Sequence, residues 1–244
     1  MKKRKIASFF ILLFLSSGFY LKAQESESSS GMPISFGAKV GGAFSGFTNH
    51  EEVFTSMRGG FTLGAFAEYK VNSIVGVAAE LNYVQEGAFH VNPMLIYPAS
   101  TVNYTESIYK TSSDIRLHTL QIPVLVNIRA PYISGNAVPK LILGYSFDFI
   151  MKAKSKDMYM ISDPTGLPLE QRSNETVSSS FKDFNMGPVL GLGVDFKGDK
   201  FTYIFEARYK IGIKDINNLG SLNIYNSQYD FSVNTLTVTL GIGF

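Results

Sequence analysis

From residue 34 onward the chain alternates apolar and polar positions with a period of two. The segment 233–244 is the clearest case: Leu236, Val238, Leu240, Ile242 and Phe244 share one face, and Thr235, Thr237, Thr239, Gly241 and Gly243 share the other. That period belongs to a β-strand with two unlike faces. Eight such segments are present, at 34–47, 60–70, 74–86, 117–130, 140–151, 183–196, 201–213 and 233–244. They run 11 to 14 residues, longer than the ~5–6 common in soluble sheets and enough for the ~9–11 that cross a bilayer at a tilt.

One face of each segment is a continuous apolar set. The other mixes Gly, Ser and Thr with scattered charges. A soluble eight-stranded barrel turns its apolar face inward and covers the outside with Lys and Glu; an outer surface this poor in charge does not suit it. The pattern predicts an all-β fold over residues 34–244: an eight-stranded antiparallel up-and-down transmembrane β-barrel with its apolar face toward lipid. Left unpaired, 233–244 would be an aggregation-prone edge, so it is expected to close the barrel against 34–47. The connections alternate in length. Those at 48–57, 87–114, 152–182 and 214–232 are long, and those at 71–73, 131–138 and 197–200 are short. Short periplasmic turns and long outer loops give this asymmetry, which places both termini in the periplasm.

Residues 1–23 read differently. A basic start (Lys2, Lys3, Arg4, Lys5) precedes an apolar run at 6–15, then small and polar residues up to Ala23. This is the layout of a secretory signal peptide, too short for a membrane anchor of roughly 20 apolar residues. Cleavage after Ala23 is expected, leaving a flexible lead-in over 24–33 and a mature chain of 221 residues. Five of the 22 basic residues and no acidic ones lie in the first 23, so the mature chain carries 17 basic and 20 acidic residues, a net −3. Nucleic acid is therefore not an expected partner. The chain has no Cys and no Trp but 20 Phe and 13 Tyr. An exported chain without disulfides must be held by its core, by lipid, or by both.

The polar face places Glu68, Glu80, Glu86, Arg129, Asp148, Asp195, Glu206, Arg208 and Lys210 in one narrow lumen. Eight strands enclose only enough space for side chains to fill. Unpaired buried charges are costly, so an internal ion-pair network around Arg208 and Arg129 is expected. A proton or ion path is the competing reading. An open diffusion pore is not expected, since pores need ~16 strands.

The histidines His50, His90 and His118 all fall on the outer half. A Ser-His-carboxylate set could be assembled from His118, Asp114 and one of several serines, which keeps a small-barrel enzyme acting on lipid or peptide at the outer rim as the alternative function. The abundance of Ser gives that set little specificity, and the spacing of the histidines does not match a metal site. No residue is assigned as catalytic, cofactor-binding or metal-ligating. The long loops carry aromatic and Met side chains: Phe89, Tyr97, Tyr104 and Tyr109 in 87–114, and Met158, Tyr159, Met160 and Leu167 in 152–182. They suit a surface for an extracellular or envelope protein partner. Alternation at 104–110 and 156–161 also predicts strands that continue as hairpins above the membrane.

The segments FGAKVGGAFSGF (36–47), HTLQIPVLV (118–126), MGPVLGLGVDF (186–196), FEARYKIGIKDI (205–216) and LTVTLGIGF (236–244) resemble the PorT-family outer-membrane β-barrel proteins of Bacteroidetes, over essentially all of 24–244. The Arg-Tyr at 208–209 and Asp215 match; Gln121 departs from the family's Leu-Glu-Ile-Pro. The resemblance implies an outer-membrane location, a lipid environment, and a barrel-assembly machinery that reads the terminal aromatic Phe244. It marks a fold family and assigns no activity. The expected function is a structural or interaction role, in binding, assembly or secretion, exercised through the outer loops of a barrel whose lumen is filled.

Overall fold

The computed structural model describes residues 34–49, 55–90, 94–98, 107–130, 136–162, 168–216, 218 and 231–244. The segments read as signal peptide (1–23) and lead-in (24–33) lie outside the described residues. The strands are β1 (Ile34–Asn49), β2 (Thr55–Lys70), β3 (Val75–His90), β4 (Met94–Pro98), β5 (Ser107–Arg129), β6 (Ala137–Ser162), β7 (Pro168–Thr176), β8 (Phe184–Lys197), β9 (Thr202–Lys210) and β10 (Phe231–Gly243). Eight of them form a ring in the order β1-β2-β3-β5-β6-β8-β9-β10. Antiparallel pairing of β10 with β1 closes it, with Val40 opposite Leu240 and Ala38 opposite Ile242. The alternating segment 233–244 thus finds its neighbour in 34–47.

The faces are inverted as expected for a lipid solvent. Leu192 (67% exposed), Leu240 (63%) and Val40 (59%) point out, while Glu206 and Asp148 are fully buried within. The short turns lie at one end. Asn72 caps the first by accepting from the backbone N–H of Ile74 and Val75 at 2.8 and 2.7 Å, an Asx turn. The second of these turns lies partly outside the described residues.

Among the described residues the long connections 87–114 and 152–182 are largely strand, which moves the strand ends outward. β3 and β6 run on to His90 and Ser162, and β5 starts at Ser107; β4 pairs with β5 and β7 with β6. The strands continue as the alternation at 104–110 and 156–161 predicts, with 104–106 outside the described residues. Two physical reasons hid the rest. Beyond the membrane both faces meet polar surroundings, so the two-tone pattern fades. In addition, β6 carries a bulge: His118 pairs with Lys152 and Thr119 with Ile150, leaving Met151 unmatched. An extra residue shifts the parity of a strand. Odd positions face out up to Phe149, yet Ala153, Ser155 and Asp157 are buried.

Two further irregularities shape the wall. Pairing of β3 with β5 is interrupted between Ala79–Val124 and Asn82–Gln121, where Pro123 has no N–H to donate. Near the outer end β1 approaches β3: Ser45 Oγ donates to the Gly87 carbonyl (2.9 Å) and accepts from its N–H (2.7 Å). Gly87 has φ +147°, and a Cβ there would lie 1.9 Å from the Ile115 carbonyl oxygen, so only glycine fits.

Candidate functional site

The lumen is occupied by charge-paired side chains. Arg129 grips Glu68 at 2.7 and 2.8 Å and reaches Asp195 at 3.1 Å. Lys140 bridges Asp195 (2.5 Å) and Glu206 (2.8 Å). Arg208 contacts Glu80 at 2.7 and 2.8 Å and Glu206 at 2.5 Å, and Lys39 lies 2.8 Å from both carboxylates. These eight residues form one continuous chain with four charges of each sign. Multiple charge-assisted contacts offset the desolvation that buried ions suffer.

A second group lies further toward the outer end. Lys210 contacts Glu86 at 2.8 Å and Asp148 at 2.5 Å. Gln121 and Thr235 donate to Glu86 at 2.8 and 2.5 Å, and Ser146 donates to Asp148 at 2.5 Å. Two carboxylates here share a single ammonium. Between the two groups a cavity of about 40 Å³ is lined by Lys39, Glu80, Gln121, Arg208, Lys210 and Thr237, among others, room for a few waters at most.

Glycines on the inner face make space for these long side chains. A Cβ on Gly193 would come within 2.9 Å of both Glu206 Cγ and Lys140 Cε. One on Gly76 would meet Glu68 Oε1 at 2.1 Å, an oxygen already held by Arg129. Toward the outer end the lumen is covered by an apolar cap: Leu117, Ala153, Phe181, Ile216 and Val233, flanked by Phe47, Ile115, Ile150 and Val177.

All nine charged residues read into the lumen are brought together there. Two were missed: Lys39 and Lys140 sit on the same inner faces and complete the network. The signal was available, since six carboxylates against three cations left three charges unmatched. Arg129 and Arg208 are the hubs, as expected.

The outer rim does not assemble the Ser-His-carboxylate set. The Nδ1 of His118 lies 2.5 Å from the Tyr83 hydroxyl. Asp114 takes Arg58 Nε at 2.5 Å on one oxygen and Arg116 at 2.7 and 3.0 Å on the other. Burial raises the Asp114 carboxyl, but hydrogen bonds from Arg116 and Arg58 outweigh it and hold the group below the ordinary aspartate range. His118 lies one row beyond the apolar band, which ends at Leu120 and Phe149. Partial burial and the cations Lys154, Lys152, Arg58 and Arg116 push its imidazole below the usual histidine value. His50 is outside the described residues, and only the backbone of His90 is described. Among the described residues no cluster of His, Cys, Asp and Glu suits a metal. Of the aromatic and Met positions, Phe89 is exposed and Met158 half-buried; Tyr104 and Leu167 are outside the described residues, and Tyr97, Tyr109, Tyr159 and Met160 are described in backbone only.

Such a ring, apolar outside and ion-paired within, defines a small outer-membrane-type barrel. The family model described as "Outer membrane protein beta-barrel domain" matches residues 22–218, and the chain belongs to that family. No curated protein matches it. Solved structures similar to it include neisserial surface protein A (12% identity, TM-score 0.42, 89% of this chain and 98% of that one) and OprG of Pseudomonas aeruginosa (12%, 0.44, 86% and 95%). The attachment invasion locus protein Ail of Yersinia pestis is also similar (15%, 0.39, 87% and 100%).

Proposed function

We propose that this barrel resides in the outer membrane as a non-enzymatic interaction protein, delivered there by a cleaved signal peptide at 1–23, with both termini periplasmic. The observation that carries the reading is the division of the chain at the apolar cap. Below it the lumen among the described residues is filled by paired charges. Beyond it β4, β5, β6 and β7 continue as one four-stranded antiparallel sheet. Among the described residues β4 and β7 are the edges of that sheet and pair with no further strand, the geometry used in strand addition. A protein of the extracellular space or envelope is the proposed partner, and the resemblance to PorT-type barrels of Bacteroidetes makes assembly or secretion a suitable setting.

The test is a pull-down from intact cells with the full-length protein and with a version in which 158–172 is replaced by a short Gly-containing turn. Ala153, Val177 and Phe181 stay in place, so the cap is kept. Loss of a specific partner from the shortened protein supports the reading. An unchanged set of partners overturns it.

A further inference from the structure

We propose that Lys152, Lys154 and Lys156 on β6, with Arg116 on β5, form a binding surface for the phosphate groups of a glycolipid packed against the outside of the barrel. The proposal rests on the reading above for which leaflet supplies that lipid.

The bulge at Met151 creates the surface. It turns the even positions of β6 outward, so the three lysines leave the interior and Ala153, Ser155 and Asp157 enter it. Without the extra residue three ammonium groups would point into the space around the apolar cap. Opposite them in register stand His118, Arg116 and Asp114. The His118–Lys152 row follows Leu120–Phe149, the last apolar row, almost directly. Met151 between them is 55% exposed. The cations therefore begin where the lipid-facing band ends, at head-group depth. Their aliphatic stems suit this position, since Lys lays its carbons on apolar surface and keeps its charge in the polar layer.

Their pairing sets them apart. Each of the five lumenal cations lies within 3.1 Å of a carboxylate. None of Lys152, Lys154 and Lys156 has a carboxylate partner among the described residues. Asp114, in the same rows, is already shared by Arg58 and Arg116, and the Arg116 side chain remains 33% exposed. Four cations thus face outward around one engaged carboxylate. The lysine column spans ~14 Å at ~3.4 Å per residue, enough for more than one phosphate. Ammonium groups serve phosphate as point charges and donors. Contact with the apolar band favours a phosphate carried on acyl chains over a soluble anion.

The test uses the full folded chain in a zwitterionic detergent. It is titrated with bisphosphorylated lipid A, with the same lipid stripped of its phosphates, and with inorganic phosphate. Binding is read by native mass spectrometry and by the temperature at which the barrel loses its fast gel migration. Phosphorylated lipid A is expected to bind and to raise that temperature. The variant Lys152→Gln/Lys154→Gln/Lys156→Gln should bind it on the order of 100-fold more weakly, from ~1 kcal/mol per lysine near an anionic membrane surface. Lys197→Gln/Lys200→Gln, at the short-turn end, should bind as the wild type does. If the triple variant does not fold, Lys152→Gln and Lys156→Gln alone are read, each with a several-fold loss expected.

Equal affinity of wild type and lysine variants, or equal affinity for the dephosphorylated lipid, overturns the site. Inorganic phosphate binding as tightly as the lipid overturns the lipid as its source. The leaflet is tested separately: Lys156→Cys, clean because the chain has no Cys, should react with an impermeant maleimide on intact cells. Labelling only after the envelope is broken overturns the orientation proposed above, while the phosphate site is judged by the titration alone.

Discussion

Arg208 on β9 and Glu80 on β3 are 128 residues apart in sequence and form a two-point contact at 2.7 and 2.8 Å across the lumen. The strands that carry them are not neighbours in the ring. The pair therefore ties opposite walls together, and Glu206, Lys39 and Lys140 join it to the short-turn end.

Arg208→Met is expected to destabilise the barrel by roughly 3–5 kcal/mol, because it leaves Glu80 and Glu206 buried with fewer partners. Arg208→Lys should recover part of the loss, since one ammonium cannot reproduce a two-point guanidinium contact. The temperature of lost gel migration in unboiled samples measures both. A wild-type value for Arg208→Met would contradict the tie.

The Lys210 group has one carboxylate more than its cation can balance. Asp148→Asn should therefore leave stability unchanged or raise it, because the Asn oxygen still accepts from Lys210 while its NH2 can donate to the Ser146 hydroxyl. Lys210→Met should lower it by several kcal/mol. Gln121→Glu would add a third carboxylate beside Glu86 and is expected to destabilise. If Asp148→Asn proves as damaging as Lys210→Met, the excess-charge account fails.

Asp114 gives the outer sheet a pH dependence of known sign. Its folded value is lowered, so its contribution is complete above the unfolded value near about pH 4 and is lost as pH falls through the lower folded value. Acidification below about pH 4 should speed amide exchange over 107–117, and Asp114→Asn should abolish that step. An unchanged acid response in the variant would assign the effect elsewhere.

Phe244 completes the ring: its N–H donates to the Phe36 carbonyl at 2.8 Å, and the Phe36 N–H donates to its carbonyl at 3.0 Å. Deleting Phe244 is expected to lower the amount of folded barrel in the outer membrane while synthesis and export stay normal. Fractionation with heat-modifiability checks this, and normal outer-membrane levels would remove the role.

The filled lumen predicts silence in planar-bilayer recordings of the wild-type protein. Steady nanosiemens channels would show that the charge network and the apolar cap open in a membrane.

The sequence by itself determined the ring. A period of two, inverted faces and strands long enough for a bilayer name the strands and their inward residues, because lipid leaves a chain few ways to satisfy its backbone. Glu80 and Arg208 could be placed inward by parity alone. Tertiary structure decided what parity cannot carry. Which carboxylate meets which cation depends on the stagger of strands around the ring: parity turns Lys39 and Lys140 inward, but their partners Glu80, Glu206 and Asp195 are fixed only when walls distant in sequence face each other. The outer sheet was legible in part, since alternation at 104–110 and 156–161 predicted its hairpins, but the addition of β4 and β7 at its edges was decided by strand pairing. One unmatched residue, Met151, reversed the faces of β6 and sent Lys152, Lys154 and Lys156 outward, an outcome set by strand pairing and not by the local sequence.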